Sequence, residues 1–136
     1  MTSRNSYMIE KGRNTGLRIG KKYEEKYFEY YQKYRCRGYK KGVAKGVQDL
    51  VKNVEAGKEI EKIIDKHQLK LDWAVRRLKI NKGIDATTRK NLERTILLEK
   101  MFLELLNEVS DVEDFNEFAK GVKYGIKVAI GIKSKN

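Results

Sequence analysis

The stretch YEEKYFEYYQKYRCRGYKKGVAKG (residues 23–46) decides how the chain is read. Tyr23, Tyr27, Tyr30 and Tyr34 recur at intervals of four, three and four, which places four phenol rings on one helical face. Lys33, Arg37, Lys41 and Lys45 follow at intervals of four as a neighbouring cationic stripe. Gly38, Gly42 and Gly46 keep the same step, and upstream Gly12, Gly16 and Gly20 repeat it. Residues four apart lie one above another on a helix, so each ladder leaves a strip of bare backbone. A glycine costs about 0.5–1 kcal/mol relative to alanine inside a helix, so three in step imply a partner that must come close. That partner is either another helix or a nucleic-acid backbone. The cations flanking Gly38, Gly42 and Gly46 favour nucleic acid there; the alternative is a kinked or broken helix whose glycines mark turns. Little apolar pattern surrounds Gly12, Gly16 and Gly20, and these read as loosening an arm.

Composition supports a helical reading. At 136 residues the chain suits one domain that buries roughly two-thirds of its unfolded surface. Proline is absent, and Lys, Glu, Leu, Ile and Ala fill the periodic segments, so the expected fold class is all-α. Cys36 is the single cysteine and cannot close an internal disulfide, which suits a reducing compartment. No apolar run reaches the roughly 18–20 residues that cross a bilayer. The opening MTSRNSYMIEKGRNTG lacks the hydrophobic centre of a signal peptide. The expectation is a soluble protein made in the cytoplasm.

Charge is the strongest bias. The formal net charge is +12 and the pI about 9.7, which predicts attraction to polyanions, nucleic acid before anionic membrane. Residues 1–46 hold 13 Lys/Arg against 4 Asp/Glu, whereas the other 90 residues hold 18 against 15. The asymmetry suggests a flexible basic arm (1–16), basic Tyr- and Gly-rich helices expected to bind nucleic acid (17–56), and a helical bundle (57–136). Candidate phosphate contacts are Arg13, Arg18, Lys21, Lys22, Lys26, Lys33, Arg35, Arg37, Lys40, Lys41 and Lys45. Gly38, Gly42 and Gly46 are the positions where backbone would lie against the duplex. Tyr30 and Tyr34 admit two readings: packing between helices with the hydroxyl at a wet edge, or stacking on unpaired bases. No short Asn, Arg and Gln constellation is set to read base edges, so binding is expected to ignore sequence.

Behind this front lie amphipathic segments. Val47, Leu50, Val51 and Val54 make a short apolar face that stops at Gly57. Ile60, Ile63, Ile64, His67, Leu71, Ala74, Val75 and Leu78 make a nearly continuous stripe, closed by residues 81–83. Thr87 or Thr88 is expected to cap the next helix, whose core LERTILLEKMFLELLNEV (92–109) is apolar on more than one face. Ser110 with Glu113 reads as a capping box for a last helix that turns Phe115, Phe118, Val122, Ile126 and Ile130 inward. Short connections imply a small antiparallel bundle. Residues 92–118 carry two Lys/Arg against eight Asp/Glu, and residues 119–136 carry five Lys and no acid. The acidic helix serves either dipole and solubility tuning or docking onto a basic face of another copy.

Catalytic patterns are missing. His67 is the single histidine and sits on an apolar stripe, so it reads as a boundary imidazole without metal or triad companions. Cys36 lies between Arg35 and Arg37 with no histidine in pattern. GVAKGV (42–47) lacks the spacing and the Ser/Thr of a phosphate loop. The expectation is a protein that is not an enzyme, with no cofactor, no metal and no small-molecule substrate.

The layout, RIGKKYEEKYFEYYQKYRCRGYKKGVAKG (18–46) followed by helical residues 58–132, resembles the major coat proteins of archaeal filamentous viruses of the lipothrixvirus type. The resemblance implies front helices that wrap genomic double-stranded DNA held in A form, with an RNA duplex as the other polyanion of that shape. It also implies bundles that pack outward into a helical filament with further copies and commonly a paralogous coat protein, sometimes beneath a lipid envelope. The location it implies is the virion. Competing readings are a small helical subunit of an RNA-guided interference complex and a nucleoid or plasmid DNA-binding protein. On the coat reading, residues 58–132 should keep their fold when residues 1–46 are removed. Alanine at Gly38, Gly42 and Gly46 should raise helix stability by about 2–3 kcal/mol.

Overall fold

The computed structural model describes residues 2–35, 39–55, 59–80, 82–110 and 115–131. Its elements are five helices: α1 (Thr2–Tyr34), α2 (Tyr39–Glu55), α3 (Ile60–Ile80), α4 (Ala86–Ser110) and α5 (Phe115–Ala129). The class is all-α, as the periodicity and the lack of proline require. At 1.5 Å per residue the 33 residues of α1 span about 50 Å, the longest element of the molecule.

The helix ends follow local chemistry. Asp85 caps α4, its Oδ1 accepting the Thr88 N–H at 2.7 Å, so the cap lies two or three residues before the threonines expected to supply it. The Glu59 carbonyl accepts the N–H groups of Lys62 and Ile63 at 3.1 and 3.2 Å, which starts the hydrogen-bond ladder of α3. α1 closes on Arg35, which takes a left-handed φ of 57° while its N–H donates to the Tyr31 carbonyl at 2.6 Å. Gly57 and the Ser110–Glu113 box involve positions outside the described residues.

α4 is the spine. α1 runs antiparallel to it, since Arg18, Lys22 and Lys33 pair with Glu108, Glu104 and Glu93 in turn. α2 runs parallel to it, with Gly42 over Leu98 and Gly46 over Phe102. α3 returns through the short connection at residues 82–85 and packs chiefly on α4. α5 runs parallel to α1 and forms with it the most extensive helix pair.

That last pair corrects the arm expected over residues 1–16. α1 continues through residue 16 without a break, and the glycines that looked like looseness are its contact surface. A β-carbon at Gly12 would meet the Phe118 carbonyl, at Gly16 the Val122 carbonyl, at Gly121 the Ile9 carbonyl and at Gly125 the Arg13 carbonyl. Gly20 faces Ala129, whose Cβ would be 2.6 Å from an added one. Two small-residue ladders therefore mesh, and backbone lies on backbone.

One core joins front and rear. Met8, Ile19, Tyr23, Tyr27 and Tyr30 of α1, with Val43, Val47 and Val51 of α2, pack against Met101, Phe102 and Leu105 of α4, Phe118, Val122 and Ile126 of α5, and Ile130 just after it. Leu50, Ile63 and Leu106 form a smaller cluster that anchors α3. The expected partition into a wrapping front and a separate bundle is therefore not how the hydrophobic surface is buried.

Candidate nucleic-acid interface

The cations of α1 are divided by what faces them. Arg18 donates to Glu108 Oε1 at 2.8 Å, Lys22 to Glu104 Oε1 at 2.6 Å and Lys33 to Glu93 Oε1 at 3.2 Å. The acidic helix seen in the sequence thus docks a basic face of its own chain. Burial pushes the Glu104 carboxyl up, but hydrogen bonds from Lys22 and the Tyr23 hydroxyl, with the charge of Arg18, outweigh it and hold the group below the usual carboxylate range. Burial, helped by the hydrogen bond to Glu104 and its negative charge, pushes the Tyr23 phenol well above its ordinary value. Arg13 stacks its guanidinium over Tyr124, 4.8 Å from the ring centroid. Lys21, Lys26 and Arg35 are exposed.

Two groups of candidates are corrected outright. Tyr30 is buried and donates its hydroxyl to the Lys90 carbonyl at 3.1 Å, so its ring is not open to a base. Tyr34 is half-buried, packed on Tyr30 at 5.1 Å and beneath Lys33 Nζ at 5.0 Å. The tyrosine stripe is inter-helix packing. A β-carbon at Gly42 would lie 3.2 Å from one Leu98 methyl, and one at Gly46 would fall on the Phe102 ring. The bare strip expected to lie on a duplex is therefore covered by α4. Gly38 and Arg37 lie outside the described residues.

What remains is a lysine face on α2 and α5. Lys41, Lys45 and Lys52 stand at i, i+4 and i+11 on the side of α2 opposite buried Val43, Val47 and Leu50, and all three are exposed. Lys123 and Lys127 stand on the side of α5 opposite Gly121 and Gly125, which are turned to α1. α2 packs beside α5, and Lys40 Nζ lies 3.7 Å from where a Gly131 side chain would begin. Burial raises the Glu24 carboxyl above its ordinary range, and the charge of Lys40 offsets only part of the rise. Lys120 is hydrogen-bonded to Glu117 at 3.2 Å. Lys41, Lys45, Lys52, Lys123 and Lys127 form no salt bridge with a described carboxylate. Lys52, Lys123 and Lys127 are not among the candidates drawn from the sequence, although the spacing of the first and the acid-free row of the others are visible there.

His67 sits at the α3–α4 boundary, its Nδ1 3.0 Å from Glu99 Oε2 and its ring edge-on to Phe102 at 5.6 Å. Among the described residues no group of three or more His, Cys, Asp or Glu side chains is placed to hold a metal ion, and no helix is long and apolar enough to cross a membrane. No protein-family model, no curated protein and no solved structure matches this chain.

Proposed function

We propose that this chain is a structural coat protein that binds double-stranded nucleic acid without reading its sequence and assembles copy upon copy along it. This is the virion role of the proteins its layout resembles. One observation carries the reading: the lysine face of α2 and α5, whose lysines form no salt bridge with a described carboxylate while Glu93, Glu104 and Glu108 of α4 are paired with α1. Lysines in rows on two rigid helices suit phosphates, which give affinity and register but no sequence information. The duplex meets the side of the bundle rather than a wrapping arm, because α1 is committed to α5 and α4.

The test is electron microscopy of the full chain mixed with linear duplexes of unrelated sequence. Wild type is expected to coat all of them as filaments of constant width. Replacing Lys41, Lys45 and Lys52 by glutamate should abolish coating while circular dichroism stays helical, since the three side chains are exposed. Coating that persists in the triple variant, or that requires one sequence, sinks the proposal.

A further inference from the structure

On α3, Leu69, Trp73 and Ile80 remain 69 %, 60 % and 61 % exposed, with Trp73 at the edge that also borders Leu98 and Phe102 of α4. With Arg76 and Arg77 they line a groove of 380 Å³. Three large apolar side chains at i, i+4 and i+11, bordered by two guanidiniums, form a surface that solvent alone does not favour. Asp72, the nearest acid of the helix, is held by Gln68 at 3.0 Å. The outer face of α1 carries the complement. Phe28 is 58 % exposed and flanked by exposed Glu25 and Glu29, neither of which forms a salt bridge with a described cation.

We infer that the α3 groove is the seat for the α1 knob of a second copy of this chain: Phe28 enters between Leu69, Trp73 and Ile80, while Glu25 and Glu29 meet Arg76 and Arg77. Guanidinium forks bind carboxylates in pairs and stack on rings, which is what such a knob offers. The inference deepens the coat reading and rests on it for its purpose. Geometry gives it direction. Glu93, Glu104 and Glu108 of α4 face α1, whereas Thr95 and Glu99 face α3, so knob and groove point from opposite flanks of the spine. A contact between two different patches repeats head to tail, giving a ring where the rotation between copies closes and an open helical filament where it does not; the coat reading requires the open form. The lysine face on α2 and α5 is left uncovered by it. Two aliphatic side chains flanking the tryptophan favour a protein knob over an unpaired base, which stacks on aromatic rings.

The experiment uses two full-length variants without nucleic acid, in about 0.15 M salt so that repulsion between basic copies is screened beyond roughly 8 Å. Phe28→Lys destroys the knob and keeps the groove; Trp73→Ala with Arg76→Glu destroys the groove and keeps the knob. All three positions are exposed, so both variants should fold as wild type by circular dichroism. In sedimentation velocity the wild type should form a concentration-dependent series. Each variant alone should associate about thirtyfold more weakly or worse, as loss of a central Trp or Arg anchor implies. Mixed in equal amounts, the two variants should form a heterodimer and stop there. A monomeric wild type overturns the inference, as do variants that associate normally or a mixture without heterodimer. A groove variant that associates normally but loses binding to duplex DNA, or to vesicles of anionic lipid, reassigns the groove to that ligand. Because duplex binding is read separately through Lys41, Lys45 and Lys52, the coat reading and this contact fail independently.

Discussion

A β-carbon added at Gly16 would land on the carbonyl oxygen of Val122, and one at Gly121 on that of Ile9. Neither obstacle is the end of a flexible side chain, so the two helices must part to admit the methyl group. Helix propensity gains about 0.5–1 kcal/mol from such a change. Overpacking costs about 1–3 kcal/mol, and parting α1 from α5 also loosens buried Ile19 and Val122. Gly16→Ala and Gly121→Ala are therefore expected to lower the urea midpoint. Gly42→Ala meets one Leu98 methyl at 3.2 Å, which a rotamer shift relieves, and should leave the midpoint unchanged or slightly higher. Equal effects at all three positions would mean that propensity, not proximity, governs the ladders. Glu104 supplies a second residue-scale expectation. Its carboxyl is held below the unfolded value, so its pairing adds stability above the ordinary glutamate pKa of about 4.3, and that stability is lost as pH falls through the folded value. Glu104→Gln should cost stability near neutral pH, and the gap to wild type should close in acid. A gap that stays constant down to about pH 3 would rule out the titration of this carboxylate as its source.

Among elements, α1 decides whether the rear helices stand alone. It gives Met8 and Ile19 to the core and α2 gives Val43, Val47, Leu50 and Val51, all nearly or fully buried. At about 1.5–3 kcal/mol per buried aliphatic side chain these six are worth about 9–18 kcal/mol, against a typical net stability of about 5–15. Removing residues 1–46 deletes three of the six, together with Tyr23, Tyr27 and Tyr30, and bares Phe118, Val122 and Ile126. The truncated chain is expected to lose its cooperative thermal transition and to bind a hydrophobic dye, contrary to what charge segregation implied. A sharp transition in the truncated chain would restore a separable bundle. The helices themselves were legible because apolar side chains mark a 3.6-residue period, as α3 shows from Ile63 through Ala74 to Leu78. The start of α1 was not, because its inward face is Met8, Gly12, Gly16, Ile19 and Gly20, and a contact made by backbone leaves almost no hydropathy signal. What could have exposed it is Gly121 and Gly125, which repeat the four-residue step at the other end of the sequence.

For the molecule as a whole, the net charge of +12 overstates what a polyanion meets. Sequence counts every cation of the first 46 residues equally, but Arg18, Lys22 and Lys33 are answered by Glu108, Glu104 and Glu93 within the same chain. Pairing across 60 to 90 residues is a property of helix register, which no local pattern encodes. Hence composition alone suggests the polyanion we propose as partner, whereas the face proposed to receive it depends on how α1 lies on α4. The difference is measurable through counterion release, since each neutralised phosphate lowers the slope of log affinity against log salt by about 0.9. If Lys40, Lys41, Lys45, Lys52, Lys123 and Lys127 each meet a phosphate, the wild-type slope on duplex DNA should be near about −5. Changing Lys41, Lys45 and Lys52 to glutamine should make it shallower by about 3. Changing Arg18, Lys22 and Lys33 to glutamine removes the same formal charge. It should leave the slope nearly unchanged while lowering thermal stability, because those cations hold α1 to α4 rather than binding phosphate. If both triple variants flatten the slope equally, the duplex responds to total charge and not to a face, and the assignment to α2 and α5 is wrong.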